Sequence, residues 1–299
     1  MPQRSAPTHS TFFLLLMILA MVAWGGSWVT AKWASSYPPQ FTALWRFFVS
    51  ALSFLPILWW RKESLALPRQ AWLWVGLSAG SLTIYNLLFL GAMQHGPGGY
   101  GGVLVPTLNP QFSFLLAALF LHQTVGAKAL GGLALGLAGG VLQILGPQFQ
   151  FEAFLRPENL FLVAAAFVYA CLNHFSAVAQ REISVFRYSF WTALLCSFFL
   201  LPFALNVAPG TPGPFDFGAL KADFWINVAY LALAAGTFGT TLYFEATRRV
   251  GAARGSSFVF LVPASALVLA FLFLGEQPAW TSVVGGTLSI SAVMMIQKR

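Results

Sequence analysis

Charge is what this sequence has least of. Only 8% of its 299 residues are Asp, Glu, Lys or Arg, against roughly a quarter in an ordinary soluble domain, and Asp and Glu together number 8. A fold of this size cannot hydrate its surface with so few charges, so the solvent around most of it is lipid. Cysteine is almost absent too. Cys171 and Cys196 lie inside apolar runs, where a thiol packs as a small hydrophobe, and neither a disulfide nor a metal site is expected. The 4 histidines are scattered, and there is no HExxH and no pair of intramembrane aspartates. No metal or nucleophile site is assembled, so neither an enzyme nor a cofactor is expected.

What is present is long apolar sequence. Hydrophobic residues make up 58% of the chain, in runs at 12–35, 41–60, 71–94, 98–121, 126–145, 158–180, 184–206, 221–247, 251–274 and 279–297. A span of the ~30 Å hydrocarbon layer takes ~20 apolar residues, so the pattern predicts an all-α integral membrane protein of ten transmembrane helices with no room for a soluble domain. The first run continues through Trp24, Trp28 and Trp33 without a small-residue cleavage pattern, and is expected to remain as a span rather than a signal peptide.

A net charge of +8 would suggest nucleic acid in a soluble protein, but here the cations alternate loop by loop. With the N-terminus inside, Arg4, Arg61, Lys62, Arg69, Lys128, Arg181, Arg187, Arg248, Arg249, Arg254, Lys298 and Arg299 are cytoplasmic, while Lys32, Arg156 and Lys221 face the other side. Arg46 falls inside the second span. Retention of Lys and Arg on the cytoplasmic side accounts for this split, so the basic character records topology, both termini are predicted cytoplasmic, and no nucleic-acid partner is expected. Trp59, Trp60, Trp72 and Trp74 flank the basic loop at 61–70, as an interfacial belt would.

The halves resemble each other at an offset of about 153: Pro110 pairs with Pro263, Gln123 with Glu276 and Gly132 with Gly285, while a two-residue shift pairs Gly96 with Gly251. This predicts a first five-helix repeat over 1–147 and a second over 148–299. Five is odd, so two such units must sit in opposite orientations. Inverted repeats of this kind enclose a central cavity at which substrate binds and access alternates.

WGGSWVTAKW (24–33), ALWRF (43–47), the stretch from NLLFLGAMQHG to LNPQFSFLLAALFL (86–121) and FLGEQPAWTSVVGGTLSISAV (273–293) resemble the drug/metabolite transporter superfamily, EamA type. YNLLFLGAM (85–93) is most similar to its YddG-type aromatic amino-acid exporters. The chain departs from the family where an acid usual after the fourth helix is replaced by His122-Gln123. The resemblance implies a multi-pass exporter in the bacterial inner membrane, moving aromatic and other amino acids, with membrane lipid and a small-molecule substrate as its partners and a monomer as its functional form.

Polar groups are costly inside a bilayer, so each is a candidate for the pathway. The substrate-binding candidates are Trp24, Ser27 and Trp28 in span one, Tyr85 and Asn86 in span three, Tyr100, Thr107 and Asn109 in or before span four, Tyr169, Asn173 and His174 in span six, Thr240 and Tyr243 in span eight, and Ser257 in span nine. Asn, Ser, Thr and Tyr can bind an amino acid's carboxylate and ammonium without burying a full charge, and aromatic rings supply a wall for its side chain. Each one taken singly also reads as an interhelical hydrogen bond. Pro106, Pro110 and Pro263 each remove a backbone donor and are candidate hinges or kinks, or else simply fit neighbouring helices.

Glu245, three and four residues before Arg248 and Arg249, reads as one member of an ion pair on a helical face. GPGGYGG (96–102) lacks a GK[ST] and reads as a tight hairpin. Gly132, Gly136 and Gly140 in helix five, with Gly285 and Ser289 in helix ten, predict that these two helices pack closely. A drug or other metabolite exporter with proton coupling is the main alternative. A receptor or scaffold has no evident use for paired broken helices, and a sugar-phosphate carrier would favour clustered buried cations.

Overall fold

The computed structural model describes residues 8–120, 127–207, 210, 212–250, 258–259 and 261–297, and every regular element among them is helical. In chain order these are α1 (Thr8–Trp33), α2 (Pro39–Trp60), α3 (Arg69–His95), α4 (Gly98–Phe120), α5 (Ala127–Leu145), α6 (Pro157–Ala179), α7 (Val185–Leu205), α8 (Ala222–Ala229), a π-helical segment (Tyr230–Gly239), α9 (Thr240–Val250), α10 (Leu261–Leu274) and α11 (Trp280–Gln297). The helix starts follow local chemistry. Pro39 and Pro157 open α2 and α6 at positions where a backbone donor would have no acceptor, and Ser184 Oγ caps α7 by accepting from Arg187 N at 3.2 Å.

Among the described residues, 5 helices are long and apolar enough to cross a membrane: Phe12–Ser36, Pro39–Trp60, Arg69–His95, Pro157–Ala179 and Val185–Leu205. Leu130–Leu145 and Leu261–Leu274 are shorter apolar helices. Leu15, Leu52, Leu73, Leu160, Phe198 and Leu272 lie exposed on the outside of the bundle, the reverse of a water-soluble surface. The expected tryptophan belt divides. Trp59 and Trp60 are 83% and 80% exposed beside Arg61, and Trp72 is exposed while packing edge-on to Trp191 at 4.9 Å, but Trp74 is half-buried near Phe175.

The most extensive helix pairings are matched when the first and second halves of the chain are exchanged. α1 packs on α10 as α6 packs on α4; α3 packs on α6 as the π segment and α9 pack on α1; α2 meets α7, α4 meets α10 and α5 meets α11. Lipid gives helices no hydrophobic reason to associate, so close approach at small residues carries much of the attraction. A Cβ on Gly139 would lie 2.5 Å from the Gly285 carbonyl oxygen and one on Gly285 would lie 2.4 Å from that of Gly139. Ser289 Oγ donates to Gly136 O at 3.2 Å beside this contact. The expected packing of α5 on α11 is therefore present, but its closest approach is at Gly139, outside the expected row: the missing Cβ atoms of Gly136 and Gly140 make room for Gln111 and Leu108 of α4.

The tight turn expected over 96–102 is narrower than the glycine-rich stretch. Only Gly96 and Pro97 turn the chain, and Gly98–Gly102 form the first turns of α4. Cβ atoms there would strike Ala270 (Gly99), the Trp28 ring (Gly101) or Ala266 (Gly102) at 2.4–2.8 Å, so these glycines let α4 pass between α1 and α10. By contrast, a Cβ on Gly80 in α3 meets nothing within 4 Å. Gly285→Leu is therefore expected to destabilise the protein by about 1–3 kcal/mol through overpacking, and Gly80→Ala to be neutral or stabilising by up to ~1 kcal/mol through helix propensity. Melting of the detergent-purified variants, followed by tryptophan fluorescence, checks both.

Candidate functional site

A cavity of about 620 Å³ lies between the two sets of helices. Trp24, Ser27 and Trp28 of α1, Arg46 and Ser50 of α2, Tyr85 and Asn86 of α3, and Pro106, Asn109 and Pro110 of α4 line one part of it. Tyr169, Asn173, Ser176 and Gln180, with Tyr188, Ser189 and Thr192 of α7, Gly236 of the π segment, and Thr240 and Tyr243 of α9 line the rest. Polar and aromatic groups thus converge from seven of the helical elements onto one space.

The wall is held by local hydrogen bonds. Arg46 Nη1 donates to Asn86 Oδ1 at 3.0 Å, and Asn86 Nδ2 donates to Leu82 O at 2.8 Å. Tyr85 stacks on Phe89 and meets Tyr169 with ring centroids 4.8 Å apart. Asn173 Nδ2 donates to Asn109 Oδ1 at 3.0 Å, bridging α6 and α4. Trp24 lies 5.2 Å from Tyr243, ring to ring, and its Nε1 donates to Ala235 O at 2.9 Å.

That last carbonyl belongs to the π segment, whose i→i+5 turns loosen the ladder. Ser50 Oγ and Thr237 Oγ1 both donate to Ala232 O, at 3.1 and 3.2 Å. A Cβ on Gly236 would fall 2.7 Å from Ser50 Oγ and one on Gly239 2.9 Å from Trp24 Nε1. Glycine at these positions lets α1 and α2 dock on the opened turns.

The cavity extends to Gln180 and Val185, at the ends of α6 and α7. Its other end is closed by Trp28, 4% exposed, set edge-on to Phe89 at 4.6 Å. Beyond that barrier is a second hollow of about 370 Å³, lined by Tyr100, Gln143, Arg156, Glu158, Asn159 and Glu276 among others. The α3–α4 corner beside it is clamped by two charges. Lys32 Nζ donates to Met93 O at 2.9 Å and Gly96 O at 2.8 Å, at the end of α3. Glu276 accepts from Gly98 N and Gly99 N, each at 2.8 Å, at the start of α4. Each charge has the sign that its helix end favours.

Several expected site residues lie elsewhere. Tyr100 turns away from the cavity and donates to Asn159 Oδ1 at 2.6 Å. The Thr107 hydroxyl is buried, donating to Val103 O at 2.8 Å and accepting from Gln143 Nε2 at 3.3 Å. His174 Nε2 lies 3.1 Å from Ser113 O, a helix-to-helix contact. Ser257 lies outside the described residues. Pro263 occupies the first turn of α10, where proline takes no internal hydrogen bond away, while Pro106 and Pro110 sit within an α4 that continues through both. Glu245 pairs with Arg61 across the bundle, Oε1 to Nη1 at 2.8 Å; the side chains of Arg248 and Arg249 lie outside the description.

Arg46, Ser50, Ser176, Gln180, Tyr188, Ser189 and Thr192 line the cavity without having been expected there. Part of that signal is in the sequence: 46 and 50 are four apart, as are 176 and 180, and 188 and 192, so each pair shares a helical face. Among the described residues no group of three or more His, Cys, Asp or Glu side chains is placed to hold a metal.

Comparison with known proteins gives one consistent result. The EamA-like transporter family matches residues 11–145 and, again, 156–297. A probable terminal-alkyne amino-acid exporter of Streptantibioticus cattleyicolor is 27% identical, covering 95% of each chain. A probable amino-acid metabolite efflux pump of Salmonella typhimurium is 24% identical over 93% of this chain and 92% of that protein. A solved crystal structure, 18% identical, shares the fold with a TM-score of 0.65 over 96% of both chains.

If Trp28 closes the cavity at the end nearer Tyr100, then Trp28→Ala should raise the labelling of Asn109→Cys by a membrane-impermeant maleimide applied from the Glu276 side several-fold. Labelling of membrane vesicles of either orientation, in a Cys171→Ser, Cys196→Ala background, reads this directly.

Proposed function

The chain belongs to the EamA-like transporter family, and from that premise we propose that it exports amino acids with apolar or aromatic side chains across the bacterial inner membrane, as a monomeric secondary transporter working by alternating access. The carrying observation is the chemistry of the cavity. Its volume of about 620 Å³ lies within the range of small-molecule sites. Its surface joins neutral hydrogen-bonding groups, Asn86, Asn109, Asn173 and Thr240, to aromatic rings, Trp24, Tyr85, Tyr169 and Tyr243. The names of the two exporters above agree with this substrate class.

In this reading ten helical spans form two five-helix units, 1–147 and 148–299, inverted relative to each other, with both termini cytoplasmic. The exchange-symmetric pairing of the helices and the alternation of cations along the chain support it, with the segment Ala222–Val250 serving as one span. The cavity then opens toward the cytoplasm, because Gln180 and Val185 lie beside Arg181 and Arg187, and Trp28 with Phe89 forms the barrier to the outside. Loading from the cytoplasm is what an exporter requires.

Export is driven by the solute gradient rather than by protons. Glu245, two residues from the cavity-lining Tyr243, is engaged by Arg61, and among the described residues that line the cavity there is no Asp, Glu or His. In proteoliposomes, saturable counterflow of labelled Phe, Trp, Leu, Met or Thr is expected without an imposed pH gradient. Absence of saturable flux for all five would sink the substrate assignment. Flux that requires a pH gradient and disappears in Glu245→Gln would establish proton coupling instead.

A further inference from the structure

Arg46 is a charge without a counter-charge. It lies on α2, seven residues from Pro39, which places it about 10 Å in from that end of the helix, and it borders the central cavity. All 8 Asp and Glu side chains belong to described residues, and none forms an ion pair with it. Glu63 and Glu245 pair with Arg61, Glu276 caps α4, and Glu152, Glu158, Glu182, Asp216 and Asp223 lie in connections or first turns. One side-chain hydrogen bond, Nη1 to Asn86 Oδ1 at 3.0 Å, orients the guanidinium, and its Cζ lies 5.0 Å from the Phe47 ring centroid.

A guanidinium has five N–H donors in a rigid fork, and a single amide oxygen satisfies little of it. A cation held in a poorly hydrated space is costly unless paired, and a carboxylate is the partner whose geometry matches the fork. No side chain supplies that partner, and the side of the group that could receive it is the cavity. We propose that Arg46 anchors the carboxylate of the transported solute, so that a free carboxylate is the feature of the substrate on which recognition depends. This rests on the amino-acid reading above and deepens it: the carboxylate seats between α2 and α3, the ammonium meets the Tyr85 and Tyr169 rings and hydroxyls, and the side chain extends toward Trp24 and Tyr243. Asn86 acts as a positioning residue that fixes the fork.

The test uses the full chain in detergent, with quenching of intrinsic tryptophan fluorescence as the binding readout, since Trp24 and Trp28 line the cavity. The probes are L-phenylalanine, L-phenylalaninamide, 3-phenylpropionate and phenethylamine. The two carboxylates are expected to bind at least about tenfold more tightly than the two cations, as loss of a bidentate charged pair implies. Arg46→Gln should reduce that preference to within about twofold, and Arg46→Lys should retain it at lower affinity because the charge stays while the fork is lost. Equal binding of acid and amide by the wild type overturns the proposal, as does a folded Arg46→Gln that still discriminates, or a wild type that binds no carboxylate. Should Arg46→Gln fail to fold, the wild-type comparison decides alone. The two readings fail separately: carboxylate-selective binding without amino-acid flux ends the export assignment and leaves Arg46 in its role, while amino-acid flux without acid-over-amide preference does the reverse.

Discussion

The architecture depends on backbones that approach one another where lipid offers no drive toward association. α4 is the clearest case. Its first turns are nearly all glycine, and this lets it lie between Trp28 of α1 and Ala266 and Ala270 of α10. The same economy governs α5 against α11 at Gly139 and Gly285. These contacts use dispersion and hydrogen bonding at short range, and they fix α4 so that its other face, with Pro106, Asn109 and Pro110, borders the cavity. Packing on one side of a helix thereby sets the chemistry presented on the other.

The clamp at the α3–α4 corner shows how charge is spent in a chain that has little of it. Lys32 comes from α1 and Glu276 from the connection after α10, so the two charges that stabilise the ends of α3 and α4 come from different halves of the sequence. Neither helix end is left to the hydrocarbon, where unsatisfied carbonyl and amide groups cost several kcal/mol each. The corner is thus both a local cap and a tie between the halves, next to the barrier formed by Trp28 and Phe89.

Much of the helical pattern was legible from the sequence because hydrophobic length is set by the bilayer, not by tertiary detail. Helix limits at Trp60, Leu145 and Leu274 fall where the runs end. The α5–α11 packing was expected from glycine spacing, although a period of four assigned Gly136 and Gly140, whose open faces turn to α4, to the contact that Gly139 makes; glycine carries no side chain to reveal which face it serves. Tyr100, Thr107 and His174 were misplaced for another reason. A polar residue in a span can satisfy itself on a neighbouring helix, and whether it does so depends on rotation about the helix axis, which composition does not encode. Conversely Arg46 was visible as a buried charge, but its significance lies in the location of every carboxylate in the molecule, a property of the folded chain.

The π segment was not legible at all, since nothing in the order of residues 230–239 separates i→i+5 from i→i+4. An added residue in a turn rotates everything after it by roughly 100° about the axis, so α9 does not present the faces that α3 presents in the first half. Two identical halves would make the inward and outward forms equivalent by a two-fold rotation, and so equal in energy. In the alternating-access reading proposed above, a π segment in one half alone removes that equality and biases the two forms even with no solute aboard.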